Sequence, residues 1–437
     1  MEWQVILVLT LGGFLVLMAL GMPVAFSFML VNLIGVYVFF GGTLGLEHLI
    51  DSIFRSVINF VLVPIPLFIL MGEVMFHSGV ATQMIDALDK WTGRIPGRLS
   101  IMAVAGGTLF ATMSGASMAS VAMLGKILVP EMEKRGYDRS MSMGPILGSS
   151  LVAGMIPPSS LAVLMGGLGR ISIGKILVAI IVPGLLMSFL YALYIIIRCK
   201  LQPSIAPSYD IKTYTMRDKI LTALRHILPV GFIIFMVVGV MFLGVASPSE
   251  AAATGAIACF IVAFFSRRLT WNVVKTSMNS TLGISTMIFM VIVASHTFSE
   301  ILAFSGASKG LLEFAGNAPL PPIFIIVLMQ IVLLVLGMFM AVPAIIMITT
   351  PLYIPIIKAL GFDPAWFVAI SLITLELGCV TPPYGLNLLI MKSVAPEDTP
   401  MGDIIRSVLP YIGICLVAVA LIIIFPGLAL WLPGFIN

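Results

Sequence analysis

The run Gly378-Cys379-Val380-Thr381-Pro382-Pro383-Tyr384-Gly385 lies inside an apolar segment, and no helix passes through it intact. Two consecutive prolines remove two amide donors, and their rings clash with the preceding turn. The chain is 60% hydrophobic and 10% charged, whereas charged residues make up roughly a quarter of a soluble domain, so this segment belongs in a bilayer. Backbone left unpaired at membrane depth is tolerated only where it is buried in protein or lines a polar cavity. The break therefore marks a candidate ion or solute site. An apolar hairpin turning at Ala341-Val342-Pro343 precedes it.

The same landmarks occur earlier, as Ser114-Gly115-Ala116-Ser117 followed by Gly154-Met155-Ile156-Pro157-Pro158-Ser159. The Pro-Pro pairs differ by 382 − 157 = 225 positions, and so do Pro23 and Pro248, Pro130 and Pro355, Gly136 and Gly361, and Asp138 and Asp363. A shift of 227 aligns Glu73-x4-Ser78-Gly79 with Glu300-x4-Ser305-Gly306. A shared order over nearly the whole chain is the signature of a duplication.

The elements follow from this. Met1-Glu2-Trp3 has no basic n-region, so the apolar run from Val5 is expected to be a retained helix. Runs 4–20 and 23–40, each near the ~20 residues that cross a bilayer, are separated by Gly21-Met22-Pro23. A third run, 57–77, holds Pro64 and Pro66 and is expected to kink; 80–98 reads as a short amphipathic interfacial helix. Residues 101–129 are split by Ser114–Ser117 into arms too short to span, at ~20 Å each, so a re-entrant hairpin is predicted. A helix broken at Pro157-Pro158 fills 141–169, and a span covers 175–198. The polar stretch 199–226 links this first repeat, 1–198, to the second, 227–437. There the order returns: spans near 228–245, 250–266 and 281–303, a connecting segment at 304–320, a hairpin at 323–357, a broken helix at 366–392 and a span at 407–430.

Five crossings plus a hairpin in each half invert the second half relative to the first. With the linker cytoplasmic, only Arg55, Arg170, Lys175, Lys309 and Lys358 of the 23 lysines and arginines fall on the opposite face. That asymmetry sets the orientation, with both termini outside the cytoplasm. The fold class expected is an all-α polytopic membrane protein with two inverted-topology repeats, the plan of a secondary transporter.

The chemistry is sparse. There is no phosphate-binding Gly-rich loop ending in Lys, no H-E-x-x-H and no G-x-S-x-G, so an enzyme or ATP-driven pump lacks its parts. The formal charge of +4 is small and dispersed and gives no footprint for nucleic acid. Cys199, Cys259, Cys379 and Cys415 are scattered, without metal or redox spacing. The tips and breaks instead offer carbonyls and hydroxyls, which suit a hard, weakly held cation such as sodium. Its expected ligands are Ser114, Gly115, Ser117, Ala153, Ile156 and Pro157 in the first repeat and Gly337, Ala341, Gly378 and Thr381 in the second. Thr381 and Asn387 are candidates for solute contact, and Arg170, after Gly166-Gly167-Leu168-Gly169, for a substrate carboxylate or lipid headgroups. Glu73, Glu300 and Glu376 are read chiefly as structural carboxylates.

The segments Gly148-Ser149-Ser150…Ile156-Pro157-Pro158-Ser159, Ser172-Ile173-Gly174…Pro183-Gly184-Leu185, Thr381-Pro382-Pro383-Tyr384-Gly385-Leu386-Asn387 and Phe425-Pro426…Trp431-Leu432-Pro433 carry a resemblance over the whole chain. They resemble the large membrane subunit of tripartite ATP-independent periplasmic (TRAP) transporters. The resemblance implies a sodium-driven, elevator-type importer of organic acids in the bacterial inner membrane. It implies a small four-helix membrane subunit and a soluble periplasmic binding protein as partners, membrane lipid around them, and no cofactor beyond the coupling sodium ions. It adds Ser159 and Tyr384 to the expected substrate contacts; Tyr384 stands where relatives often have a small residue. A stand-alone sodium/carboxylate symporter of similar architecture is the alternative.

Overall fold

The computed structural model describes residues 2–58, 62–91, 95–114, 117–207, 215–317 and 319–435, and all regular structure among them is helical. Among the described residues, seven helices are long and apolar enough to cross a membrane. The chain is a multi-pass membrane protein.

Trp3–Ala19 and Val24–Phe39 form the expected first pair, turning through Gly21 at φ +87°. Phe14 packs at a tilt against Phe28, and Phe28 meets Phe298 edge-on at 5.2 Å, tying the pair to the helix Trp271–Phe304. Asn32 Nδ2 donates to the Ala294 carbonyl across the same seam at 2.6 Å, so the side chain's donor is used at membrane depth to tie the two helices together.

The third run departs from expectation. A helix not anticipated from the sequence, Thr43–Val57, precedes it, burying Gly45, Leu49, Ser52 and Ser56. Its charges hid it: Glu47, Asp51 and Arg55 recur every four residues on the opposite face, with Arg55 paired to Asp51 at 2.8 Å. Nor do Pro64 and Pro66 kink a helix. Pro64 begins one, Pro64–His77, at a position where the missing amide costs nothing. In the second half Trp271–Phe304 runs 34 residues without interruption, ten residues earlier than the expected start at 281. Under the shift of 227 it spans both first-half helices, and the second half has no proline at the position equivalent to Pro64.

The first hairpin consists of Arg98–Ser114 and Ser117–Lys134, packed against each other. At 17 and 18 residues the arms reach ~26 Å, longer than the sequence reading gave, because they extend into the polar flanks. Its broken helix is Arg139–Ser150, an irregular stretch through Ser159, then Ser160–Gly169. The second hairpin is Pro322–Phe339 with Val342–Ala359, and its broken helix is Pro364–Gly378 with Leu386–Val394. Both broken helices start at aspartate caps on equivalent positions: Asp138 accepts from the Ser140 amide and Asp363 from that of Ala365. Both Pro-Pro peptide bonds are cis.

The linker is not wholly irregular. From Met216 it is helical and continues into the next span as far as Phe242, so that span starts well before 228.

The helices sort into two groups. The first holds the helices through His77, those from Met216 to Phe265, and Trp271–Phe304. The second holds both hairpins, both broken helices, the span Ile173–Leu201 and Met401–Ile424, with Trp366 Nε1 donating to the Ile422 carbonyl at 2.8 Å. Short helices connect the groups. Val80–Trp91 docks on Met216–His226, where Trp91 Nε1 reaches the Lys219 carbonyl at 3.0 Å, and Ala307–Asn317 docks on Trp3–Ala19, with Gly310 under the Trp3 ring. Each connector thus rests on the opening helix of the other half.

Candidate functional site

A cavity of about 280 Å³ lies where the two hairpin tips meet the two broken helices. Ser117 and Met118 come from the first tip, Ala341, Val342 and Pro343 from the second. Ser160, Leu161 and Leu164 come from the second arm of the first broken helix, Glu376 and Cys379 from the break in the other. Ile69 and Glu73 of Pro64–His77 and Ile284 and Ile288 of the long helix close the wall toward the first group.

At the first break the backbone turns over itself: the amides of Leu151, Val152 and Ala153 each reach back three residues, to Gly148, Ser149 and Ser150. Ser159 then caps the new helix, accepting from the Ala162 amide at 3.2 Å while donating to the Gly154 carbonyl at 2.9 Å. The prolines supply no donors. Among the described residues, the carbonyls of Ala153, Ile156 and Pro157 accept no hydrogen bond. Gly154 lies against the other half: a Cβ there would sit 3.7 Å from Glu376 Cγ.

At the second break Gly378 touches Gly337 backbone to backbone, and a Cβ on Gly378 would lie 2.5 Å from the Gly337 Cα. Thr381 Oγ1 donates to the Leu377 carbonyl at 2.7 Å, and the Asn387 amide closes the loop onto Cys379 at 2.9 Å. Gly385 holds φ +46°, a conformation that favours glycine. Among the described residues, the carbonyls of Gly337 and Thr381 accept nothing. Asn387 is fully buried and its Nδ2 donates to Ser150 Oγ at 3.2 Å, so this break is braced on the first broken helix.

Of the expected cation ligands, the fold joins Gly337 to Gly378, ties Thr381 to Leu377 in the same break, and brings Ser117 and Ala341 into the shared cavity. The Ala341 carbonyl is already engaged by the amides of Ala344 and Ile345. Gly115 and the side chain of Ser114 lie outside the described residues. A sodium ion, the expected co-substrate, needs several oxygens, and the uncommitted carbonyls at both breaks fit that chemistry.

The solute candidates divide. Ser159 and Asn387 are buried beside the breaks, whereas Tyr384 is exposed and leans on Phe339, outside the cavity. Arg170 is elsewhere. It ends the first broken helix in the left-handed region and lines a separate cleft of about 430 Å³ with Arg55, Lys358 and Glu300. Glu300 faces His48 and His296 there, at 3.4 and 3.6 Å, and Glu73 pairs with His77 at 3.1 Å. Glu376 belongs to the cavity lining: it is 1% exposed, its carboxyl takes a hydrogen bond from Ser117, and its Oε2 has no partner among the described residues. The sequence signal was available, since it precedes the break by two residues, but nothing local distinguishes a cavity-facing carboxylate from a helix-packing one. Met118, Ser160 and Cys379 were missed for the same reason.

The sequence profile of the family described as "Tripartite ATP-independent periplasmic transporter, DctM component" matches residues 11–428. The chain is 30% identical to the ectoine TRAP transporter large permease protein of Halomonas elongata, covering 98% of each chain. It is 30% identical to the C4-dicarboxylate TRAP transporter large permease protein of Pseudomonas aeruginosa, over 88% of this chain and 89% of that one. It is 26% identical to the sialic acid TRAP transporter large permease protein of Vibrio cholerae. In fold it is similar to the YdaH transporter of Alcanivorax borkumensis, with a TM-score of 0.61 at 17% identity over 90% of this chain and 89% of that one.

Proposed function

This chain belongs to the tripartite ATP-independent periplasmic transporters, as their DctM component, the large permease subunit, and on that premise we propose that it imports an organic acid across the bacterial inner membrane by sodium-coupled elevator motion. Its relatives are permeases, and their named solutes range from ectoine through C4-dicarboxylates to sialic acid. The solute enters the cavity from a periplasmic binding protein. One sodium ion binds at each break, held by carbonyls of Ala153, Ile156 and Pro157 on one side and of Gly337 and Thr381 on the other. The hairpins and broken helices then move as a block against the first group of helices, with Val80–Trp91 and Ala307–Asn317 as tethers.

The observation that carries this reading is a cavity walled by both hairpin tips and both broken helices, together with carbonyls at each break that, among the described residues, accept no hydrogen bond. A wall drawn from both halves couples solute to ions, because neither tip can leave without opening the solute's enclosure. The test is uptake in proteoliposomes holding the large permease with its small subunit and binding protein. Thr381→Val removes a hydroxyl whose bond to the Leu377 carbonyl shapes the second break, and is expected to raise the sodium concentration for half-maximal uptake by about tenfold, the equivalent of one neutral hydrogen bond that holds the break in shape. Uptake that persists unchanged without sodium, driven by a pH gradient alone, overturns the proposal.

A further inference from the structure

We propose that the cleft beside Arg170 is a second binding site, for a small oxyanion that bridges the two groups of helices; only the consequence drawn for transport rests on the elevator reading. The cleft, of about 430 Å³, draws its wall from both groups: Arg55, Ser299 and Glu300 from the first, Arg170, Pro355 and Lys358 from the second. It adjoins the tip cavity along shared helices. Ile292 lines it one turn after Ile288 lines the cavity, and Gly167 follows Leu164 in the same way. On the orientation expected from the lysine and arginine asymmetry this is the outer end of the seam, and three of the five cations on that face stand in one wall.

Charge selects the ligand. The wall sets Arg55, Arg170 and Lys358 against one acid, Glu300, a formal charge of +2 with the histidines neutral. Glu300 faces His48 and His296 rather than a cation of the wall. Arg55 keeps Asp51 at 2.8 Å, but Asp51 lies outside the wall. Arg170 and Lys358 are exposed, and among the described residues neither pairs with an acid. Guanidinium and ammonium donors in one concave wall suit an oxyanion, because arginine can hold it through two parallel N–H bonds and a cleft of one sign focuses the field. The wall is poor for lipid: Leu62, Ile292 and Ile354 are buried and Leu168 is half-buried, which leaves no aliphatic track for an acyl chain. The consequence is mechanical. Arg55 on one side of the seam and Arg170 with Lys358 on the other repel, and an oxyanion between them turns that repulsion into attraction. A bound anion therefore holds the second group of helices in place and has to leave before that group slides.

The experiment is calorimetric titration of sulfate into the large permease with its small subunit, in phosphatidylcholine nanodiscs at a fixed sodium concentration. Sulfate is expected to bind, and Arg55→Gln, Arg170→Gln and Lys358→Gln are each expected to weaken it by about tenfold or more, the loss of one charged hydrogen bond. Arg170→Lys, which keeps the charge, is expected to lose less. Lys309→Gln, whose lysine pairs with Glu313 outside the cleft, is expected to leave the affinity unchanged. In proteoliposomes holding all three components, external sulfate is expected to slow sodium-driven uptake by the wild type and not by Arg170→Gln. No sulfate binding, or binding that Arg170→Gln weakens and Arg55→Gln does not, overturns the bridging site. Binding that disappears when phosphatidylglycerol replaces part of the phosphatidylcholine gives the cleft to a lipid headgroup and overturns it as well. Sulfate binding with the expected pattern of variants, beside uptake that sulfate does not slow, upholds the site and overturns the elevator reading of it.

Discussion

Glycine does two separable jobs at the residue scale. At Gly337 and Gly378 two backbones lie in contact, and in a bilayer such close approach is a main source of helix–helix attraction, since lipid removes the hydrophobic drive. Gly413, in the interior of Met401–Ile424, has nothing within 4 Å of where a Cβ would lie. The two therefore predict opposite outcomes. Gly378→Ala is expected to destabilise by about 1–3 kcal/mol, the usual cost of overpacking. Gly413→Ala is expected to stabilise by about 0.5–1 kcal/mol, because alanine is the better helix former. Thermal unfolding in detergent distinguishes them, and equal shifts of the same sign would remove the contact argument. The sequence made Gly337 and Gly378 legible as a pair because each sits beside a tip or break at matched positions. It did not make Glu376 legible, because whether a carboxylate faces a cavity or a neighbouring helix depends on Ser117 and Gly154, which lie far away in the chain.

Among the elements, those announced by backbone chemistry were readable in advance: prolines and small residues located both hairpins and both broken helices. Elements announced only by periodicity were not. Thr43–Val57 escaped because its charged face has the composition of a loop, and the extended start of Trp271–Phe304 escaped because Asn272, Lys275 and Asn279 interrupt the apolar run. The linker helix from Met216 is polar and is held by Val80–Trp91, a contact invisible locally. The repeat itself yields a prediction here. Lys134 and Ala359 occupy equivalent exposed positions at the far ends of the two hairpins, 225 apart. Inverted repeats put them on opposite sides of the membrane. In spheroplasts, an impermeant maleimide is expected to label Ala359→Cys directly and Lys134→Cys only after permeabilisation. The native cysteines are all buried, which keeps the background low. Labelling of both from one side would contradict the inversion.

For the molecule as a whole the proposed mechanism raises the question of what would hold the first group of helices still while the second moves. An elevator works only if its frame resists the load; otherwise both parts shift and the solute gains no net displacement. Here the frame is thin. Trp3–Ala19 and Val24–Phe39 turn Val8, Leu9, Val16, Phe26, Ile34, Tyr37 and Val38 outward, while Met216–Phe242 is the least buried of the frame spans and exposes Leu221, Leu224, Phe232 and Phe235. Lipid wets such surfaces without bracing them. On the function proposed above, a small helical subunit packing against these faces would supply the missing rigidity, and a binding protein would supply solute on the outer side. The large permease alone in proteoliposomes, with sodium and millimolar free solute, is therefore expected to show uptake at background level. Adding the small subunit alone should change that little, because solute still arrives undelivered. Adding both partners should restore uptake. Sodium-driven transport at the full rate by the 437-residue chain alone would mean that its own two groups of helices brace each other, and the stand-alone symporter would be the correct description.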